Sequence, residues 1–133
     1  MYKLLIHTSA AGDLRVLSSG DRREKVVAAR VLALVEQLNT DPPALLNLLD
    51  HGYGKLQTEA FDVSKFLEFW KKGKDLWRLK IWDLEYQGLR YRVIYAYVPT
   101  SHRFHILAVV HRDFDYDPSH AISQRILQDF DEL

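Results

Sequence analysis

Three runs of residues with strong β-sheet preferences follow one another closely between positions 76 and 111. They are Leu76–Leu84, Leu89–Val98 and Arg103–His111, and the first two alternate between the two sides of a strand. Only short turn segments separate them, so neighbouring strands should pair as an antiparallel meander. The third run is apolar in its middle, which indicates a strand at the centre of a sheet.

The segment before the meander predicts one strand followed by helices. Residues Lys3–Thr8 form a short first strand, and Ala10–Leu17 are compatible with a brief helix. Asp21 and Glu24 have the spacing of a capping box, and the apolar residues after them recur at helical intervals as far as Asn39. A long amphipathic helix is therefore expected there.

The remaining segments complete a single-domain prediction. Residues 44–64 predict one short helix and a loop, and Lys65–Lys74 a short helix or an ordered lead-in to the sheet. Asp117 and Pro118 have the form of an N-cap and a first-turn proline, before an apolar stripe that continues to the end of the chain. We expect one α+β domain over residues 1–133. Its small antiparallel sheet combines the N-terminal strand with the meander, packs against N-terminal helices on one face and is closed by a C-terminal helix.

The net charge of zero conceals an uneven distribution of charge. Residues 65–112 contain ten Lys and Arg against four Asp and Glu, whereas residues 113–133 contain one against six. A basic segment of this kind permits an anionic partner such as nucleic acid despite overall neutrality. The acidic stretch that begins at Asp113 is a candidate to fold over the basic surface.

Several functional classes have no support in the sequence. The chain has no cysteine, which excludes disulfides, Cys-ligated zinc, Fe–S clusters and a thiol nucleophile. It has no P-loop, dinucleotide-binding or nucleophile-elbow motif. The alternating Asp113, Asp115 and Asp117 lack the glycine and glutamate of a calcium loop, so we expect neither metal nor cofactor. No apolar run approaches the ~18 residues of a membrane span, so a cytoplasmic protein without a membrane partner is expected.

Strand alternation predicts a basic sheet face. Four cations share this face in the prediction: Arg78, Lys80, Arg90 and Arg92. Clustered cations bind phosphate, and Trp82 on the same face offers a stacking platform for a base. Lys and Arg are also common at exposed strand positions, where they protect sheet edges, and this simpler explanation stays open for each residue alone.

A second group of candidates follows the last predicted strand. His111, Arg112 and Tyr116 bring an imidazole, a guanidinium and a phenol within six positions. These groups can respectively exchange a proton, hold the charge of a phosphorane, and orient or protonate an oxygen. The set suits phosphodiester cleavage without a metal. A hydrogen-bonded histidine, an arginine paired with aspartate and a packed tyrosine are the structural alternatives.

Three sequence motifs occur in a fixed order before Tyr116: LWRLKI at 76–81, RYRVIY at 90–95 and ILAVVHR at 106–112. In this order they resemble the core of the RelE/ParE toxin superfamily of bacterial toxin–antitoxin modules, including its HigB-like members. The resemblance implies a RelE-like fold and the toxin of a type II module, which cleaves mRNA in the ribosomal A site through attack of the ribose 2′-hydroxyl. It also implies a cognate antitoxin, mRNA and the ribosome as partners.

The resemblance assigns roles to individual residues. Arg92 matches the family's strand arginine and would bind phosphate, and Arg78 and Lys80 match the basic pair of the preceding strand. Arg112 matches the arginine after the last strand, and Tyr116 the tyrosine that stacks on or orients the substrate.

Other features of the chain depart from the family pattern. His111 stands where some members keep Lys or His and is our candidate acid or base, but alternation puts it opposite Arg112 unless the strand has ended or bulged. The 41–64 segment is longer than a compact helical hairpin. Two alternatives therefore stay open: a ParE-like toxin that inhibits DNA gyrase by binding, and a catalytically inactive interaction module.

Overall fold

The computed structural model describes residues 1–114 and 119–133, and its centre is a five-stranded mixed sheet. The strands are β1 (Lys3–Ile6), β2 (Phe61–Lys65), β3 (Leu76–Ile81), β4 (Tyr91–Val98) and β5 (Arg103–His111). They lie in the order β1-β5-β4-β3-β2. The predicted meander of β3, β4 and β5 is confirmed as antiparallel.

Six helices accompany the sheet in the described part of the chain. They are α1 (Thr8–Ser18), α2 (Arg22–Asn39), α3 (Pro42–Leu45), α4 (Leu67–Trp70), α5 (Trp82–Tyr86) and α6 (Ala121–Asp131). Short 3₁₀ turns occupy Leu46–Leu49 and Arg112–Phe114. None of the described helices is long and apolar enough to cross a membrane.

Helix boundaries follow local capping chemistry. At the start of α2 the Glu24 amide donates to Asp21 Oδ1 at 2.9 Å and the Asp21 amide to Glu24 Oε1 at 3.2 Å, which confirms the predicted capping box. The final helix begins later than predicted, with His120 Nδ1 accepting from the Ile122 amide at 3.0 Å. The expected cap at Asp117 and Pro118 lies outside the described residues.

The first strand is parallel to its neighbour, so the prediction of a wholly antiparallel sheet is wrong. Leu4 is in register with Phe104, and no hairpin imposes a direction on two strands so far apart in sequence. Asn39 at the end of α2 fixes the outer edge of β1. Its side-chain amide donates to the Leu4 carbonyl and accepts from the Leu4 amide, both at 2.9 Å. An amide side chain thus occupies the place of a further strand.

Two further differences concern strand limits. Residues 61–64 belong to the segment expected to hold a short helix and a loop, but with Lys65 they form β2, which pairs with β3. Only Phe61 and Val63 of this strand are buried, too short an alternation to stand out in the sequence. The next strand was expected to reach Leu84 but ends at Ile81, because Trp82 begins α5.

The helices cover both faces of the sheet, so the expected placement on one face is wrong. One core lies between α1, α2 and the face that presents Leu79 and Val93. A second core lies on the opposite face, where Ile94 and Leu107 pack with Phe66 and with Ile126 of α6. Strands β4 and β5 are buried on both sides, which explains their continuous apolar runs. This second core covers only part of its face, and the rest is open.

Candidate phosphate-binding cleft

The open part of the second face forms a cleft of about 560 Å³. Its floor lies on the central and outer strands, one wall is the segment before β2, and Arg112 forms the opposite side. Five cations line it: Lys55, Arg78, Lys80, Arg92 and Arg112. Four of these cations were identified from the sequence, which makes the cleft the meeting point of the two groups of candidates.

Strand register explains why the floor cations converge. Lys80 lies opposite Asp62 of β2, and Arg78 lies between Ser64 of β2 and Ile94 of β4. Side chains at paired positions of neighbouring strands share a face, so alternation along the strands places these groups together. The predicted common face of Arg78, Lys80 and Arg92 is confirmed.

Arg92 is held by a largely buried ion pair. Its Nη1 donates to Glu85 Oε1 at 2.5 Å and to the Tyr91 carbonyl at 3.0 Å. The two charged side chains are only 11% and 14% exposed. Glu85 belongs to α5, so the unexpected helical turn after β3 supplies the carboxylate that orients the strand arginine. Because both charges are largely buried, removing either partner alone should lower the stability of the fold.

The other two floor cations are also oriented by neighbours. Lys80 Nζ lies 3.7 Å from Asp62 Oδ2 and 4.8 Å from the centre of the Trp82 ring. Arg78 Nε donates to Ser64 Oγ at 3.0 Å, and its guanidinium lies over the Phe66 ring. These contacts hold the cationic groups in place and limit the side-chain entropy lost when an anion binds.

The rim of the cleft differs from its floor. Lys55 and Arg112 are exposed, and neither side chain makes a hydrogen bond or ion pair to another described residue. The backbone amide of Arg112 donates to the Arg90 carbonyl at 2.8 Å, which fixes where the chain leaves β5. Within the described part of the chain, two cations without a carboxylate partner therefore flank a floor on which Arg92 and Lys80 already face carboxylates.

Sequence reasoning missed three cleft residues: His51, Lys55 and Asp62. His51 Nδ1 accepts from the Lys65 amide at 2.9 Å, so the neutral imidazole carries its proton on Nε2 and can donate a hydrogen bond. Asp62 contributes a carboxylate to the lining of the cleft. All three lie in the region expected to be mainly loop. Asp62 reaches the basic face through the pairing of β2 with β3, and His51 and Lys55 through the hydrogen bonds that attach their segment to β2 and α5.

The structure does not bring His111 into the cleft. In the β4–β5 register Tyr91 lies opposite His111 and Arg92 opposite Val110, so the imidazole is on the other face from Arg92. His111 Nδ1 accepts from the Asp113 amide at 3.1 Å, and its ring meets Tyr91 edge-on at 5.1 Å between centroids. Arg112 and His111 are thus separated as alternation requires.

His111 instead lines a smaller pocket of about 280 Å³ with Asp21, Glu24 and Tyr91. Burial raises the pKa of the Tyr91 phenol, and the nearby Glu24 and Asp21 carboxylates raise it further. Tyr91 therefore stays protonated at neutral pH. The lining also includes Arg23, but two carboxylates against this one guanidinium make the pocket a poorer site for phosphate than the cationic cleft.

Three other candidates stand apart from the cleft. Arg90 is exposed, precedes β4 and is not among the lining residues. Trp82 lies just beyond the lining, where its Nε1 donates to the Gly54 carbonyl at 2.8 Å. Tyr116 lies outside the described residues. Among the residues that are described, no group of three or more His, Asp or Glu is arranged to hold a metal ion.

The chain was compared with known proteins, and the outcome makes the geometry of the cleft the basis for a functional conclusion. No protein-family model, curated protein or solved structure gives a significant match to the chain.

Proposed function

We propose that the chain binds RNA in the cationic cleft and cleaves it as the toxin of a type II toxin–antitoxin module, with mRNA on the ribosome as substrate and a cognate antitoxin as partner. The observation that supports this is the convergence of Arg78, Lys80, Arg92 and Arg112 on one open sheet face. Arginine and lysine arranged in a groove are the groups that bind a phosphate backbone.

The reaction uses the RNA's own nucleophile. The ribose 2′-oxygen attacks the adjacent phosphorus and the bond from phosphorus to the 5′-oxygen breaks, giving a 2′,3′-cyclic phosphate and a free 5′-hydroxyl. Arg92 and Arg112 stabilise the negative charge that develops on the phosphoryl oxygens. This route requires proton transfer but no bound metal.

Asp62 and Lys80 provide for both proton transfers. The Asp62 carboxylate accepts the proton of the 2′-hydroxyl, and the Lys80 ammonium donates one to the departing 5′-oxygen. Their separation of 3.7 Å allows a proton to pass from the carboxyl to the amine afterwards, which restores both groups. In this scheme Asp62 is the base, a role for which His111 was a candidate in the sequence analysis.

Mapping of transcript ends tests this proposal. Expression of the wild-type chain in a bacterial host should create new mRNA 5′ ends and arrest growth, and a Tyr116→Phe variant tests the tyrosine suggested by the resemblance. Lys72→Gln is the matched control, because Lys72 is an exposed cation outside the cleft lining. Intact transcripts, together with no RNA binding by the purified protein, would overturn the proposal.

The position of His111 favours a second candidate, a protein that binds without cleaving. The imidazole expected to transfer protons lies on the other face, as a binding-type ParE-like inhibitor of DNA gyrase or an inactive interaction module would permit. A supercoiling assay with purified gyrase distinguishes the first of these. Inhibited supercoiling without RNA cleavage would replace the ribonuclease proposal, whereas full supercoiling would remove the gyrase candidate.

A further inference from the structure

The segment between the first 3₁₀ turn and β2, residues 50–60, forms a fixed wall of the cleft. The Gly52 amide donates to the Val63 carbonyl at 2.8 Å, and the Val63 amide to the Tyr53 carbonyl at 2.9 Å. These bonds attach the wall to β2 on the side away from β3. The wall therefore belongs to the sheet rather than lying over the basic surface as a cover.

Helix α5 holds the same wall from a second direction. Trp82 Nε1 donates to the Gly54 carbonyl, and the exposed Tyr86 hydroxyl donates to Gln57 Oε1 at 3.1 Å. A Cβ on Gly54 would lie 1.8 Å from the Phe61 carbonyl oxygen, so the wall approaches β2 more closely than any side chain permits. Lys55, between these anchors, has a backbone fixed beside the cleft.

Lys55 and Arg112, which have no ion-pair partner among the described residues, lie at opposite ends of the cleft. Arg112 follows β5 and Lys55 belongs to the wall outside β2, so three strand spacings, roughly 14 Å, separate the strands beside them. Between them the Lys80 and Arg92 charges each face a carboxylate. Cationic side chains are therefore present at both ends of the cleft as well as on its floor, where Arg78 lies between them.

The second core limits the direction in which a long ligand can run. Along the strands the open face ends at the apolar cluster that contains Phe66, Ile94 and Ile126 of α6. A polynucleotide that followed the strand direction would meet this cluster. A path across the strands meets cations at both ends instead.

We infer that a single RNA strand crosses the sheet perpendicular to the β-strands, with Lys55 and Arg112 binding different phosphates on the two sides of the floor. This inference rests on the proposed function and deepens it. The substrate is accordingly single-stranded RNA of at least two phosphates, and the 50–60 segment is part of its binding site.

The salt dependence of binding tests the inference. A 2′-O-methyl RNA octamer, which lacks the attacking hydroxyl, is titrated by fluorescence anisotropy at several salt concentrations against wild type, Lys55→Gln, Arg112→Gln and the double variant. Each single variant should lower the slope of log K against log salt by about 0.7, and the double variant by about 1.4. Lys72→Gln should leave the slope unchanged, and circular dichroism confirms that each variant is folded.

The alternative outcomes are separable. If both cations held one phosphate, each single variant would keep the wild-type slope and only the double variant would lose about 0.7. That result, or no change in any variant while the wild type binds, would overturn the inference but leave the proposed function standing. Failure of the wild-type protein to bind the octamer, together with intact transcripts in the expression test, would overturn both.

Discussion

The Arg92–Glu85 pair allows the role of a cleft cation to be separated from its contribution to stability. Replacing Arg92 alone by Met leaves Glu85, which is only 14% exposed, without its ionic partner. Such a loss costs about 3–5 kcal/mol, a large share of the ~5–15 kcal/mol that stabilises a typical domain. With a urea m-value of about 2 kcal/mol per M, the unfolding midpoint should fall by about 2 M.

The double variant Arg92→Met with Glu85→Leu removes both charges and keeps similar side-chain volumes. Its midpoint should lie close to that of the wild type, because apolar replacements of a buried pair are often neutral or stabilising. Its net charge equals that of the wild type, so a change in RNA affinity cannot arise from total charge. Loss of a charge-assisted phosphate contact, about 1.5–3 kcal/mol, should weaken binding roughly 10- to 150-fold.

Urea denaturation followed by circular dichroism and anisotropy with the 2′-O-methyl octamer measure the two effects on the same samples. If the double variant unfolds at the same lowered urea concentration as Arg92→Met, the unpaired charge of Glu85 is not what destabilises the single variant. Wild-type RNA affinity in the folded double variant would show that Arg92 does not bind phosphate.

Three further predictions concern the base, the wall and the response to pH. Asp62→Asn should slow RNA cleavage by about 10²-fold or more, because it removes the base. It should also tighten binding of the 2′-O-methyl octamer, because it removes a negative charge beside Lys80. Unchanged cleavage would exclude Asp62 as the base. Trp82→Phe keeps an aromatic ring but loses the hydrogen-bond donor to the Gly54 carbonyl, so trypsin should cut faster at Lys55 while the fold persists. If the variant resists trypsin as well as the wild type does, this hydrogen bond does not hold the wall. Burial, and secondarily the charges of neighbouring His7 and Arg103, lower the pKa of His105, so the unfolded chain takes up its proton first and stability should fall as pH drops below about 6.5. In urea titrations at pH 7.5 and 5, His105→Gln should lose less unfolding free energy on acidification than the wild type. An equal loss in His105→Gln and in the control variant His102→Gln, which changes an exposed histidine, would contradict this role of His105.

Local patterns predicted the part of the fold that depends on neighbours in sequence. The capping box at Asp21 and the meander were predicted because one turn of helix and two short connections determine them. The direction of β1 was not, because Leu4 pairs with Phe104, a hundred residues away. Strand β2 was missed for the same reason, since its partner rather than its composition defines it.

The same distinction applies to the candidate site. Alternation placed Arg78, Lys80 and Arg92 on one face because a strand period of two needs no tertiary information. It also separated His111 from Arg112 correctly. His51 and Lys55 could not be predicted in the cleft, since they reach it only through the hydrogen bonds that fix the wall to β2 and α5.

The acidic C-terminal segment explains how a chain of zero net charge keeps a cationic cleft. Lys74 Nζ bonds to Asp131 at 2.7 Å, Asp129 lies 3.7 Å from His7, and Asp113 lies 3.2 Å from His111. All three carboxylates lie beside residues outside the cleft lining, while α6 covers the neighbouring part of the same sheet face. The described carboxylates of the C-terminal segment therefore do not pair with the floor cations, two of which face Asp62 and Glu85 instead. None of these described carboxylates forms an ion pair with Lys55 or Arg112 at the rim. Attraction over long distances is weak for such a molecule, so RNA affinity should depend on phosphate contacts within the cleft rather than on steering by the whole protein.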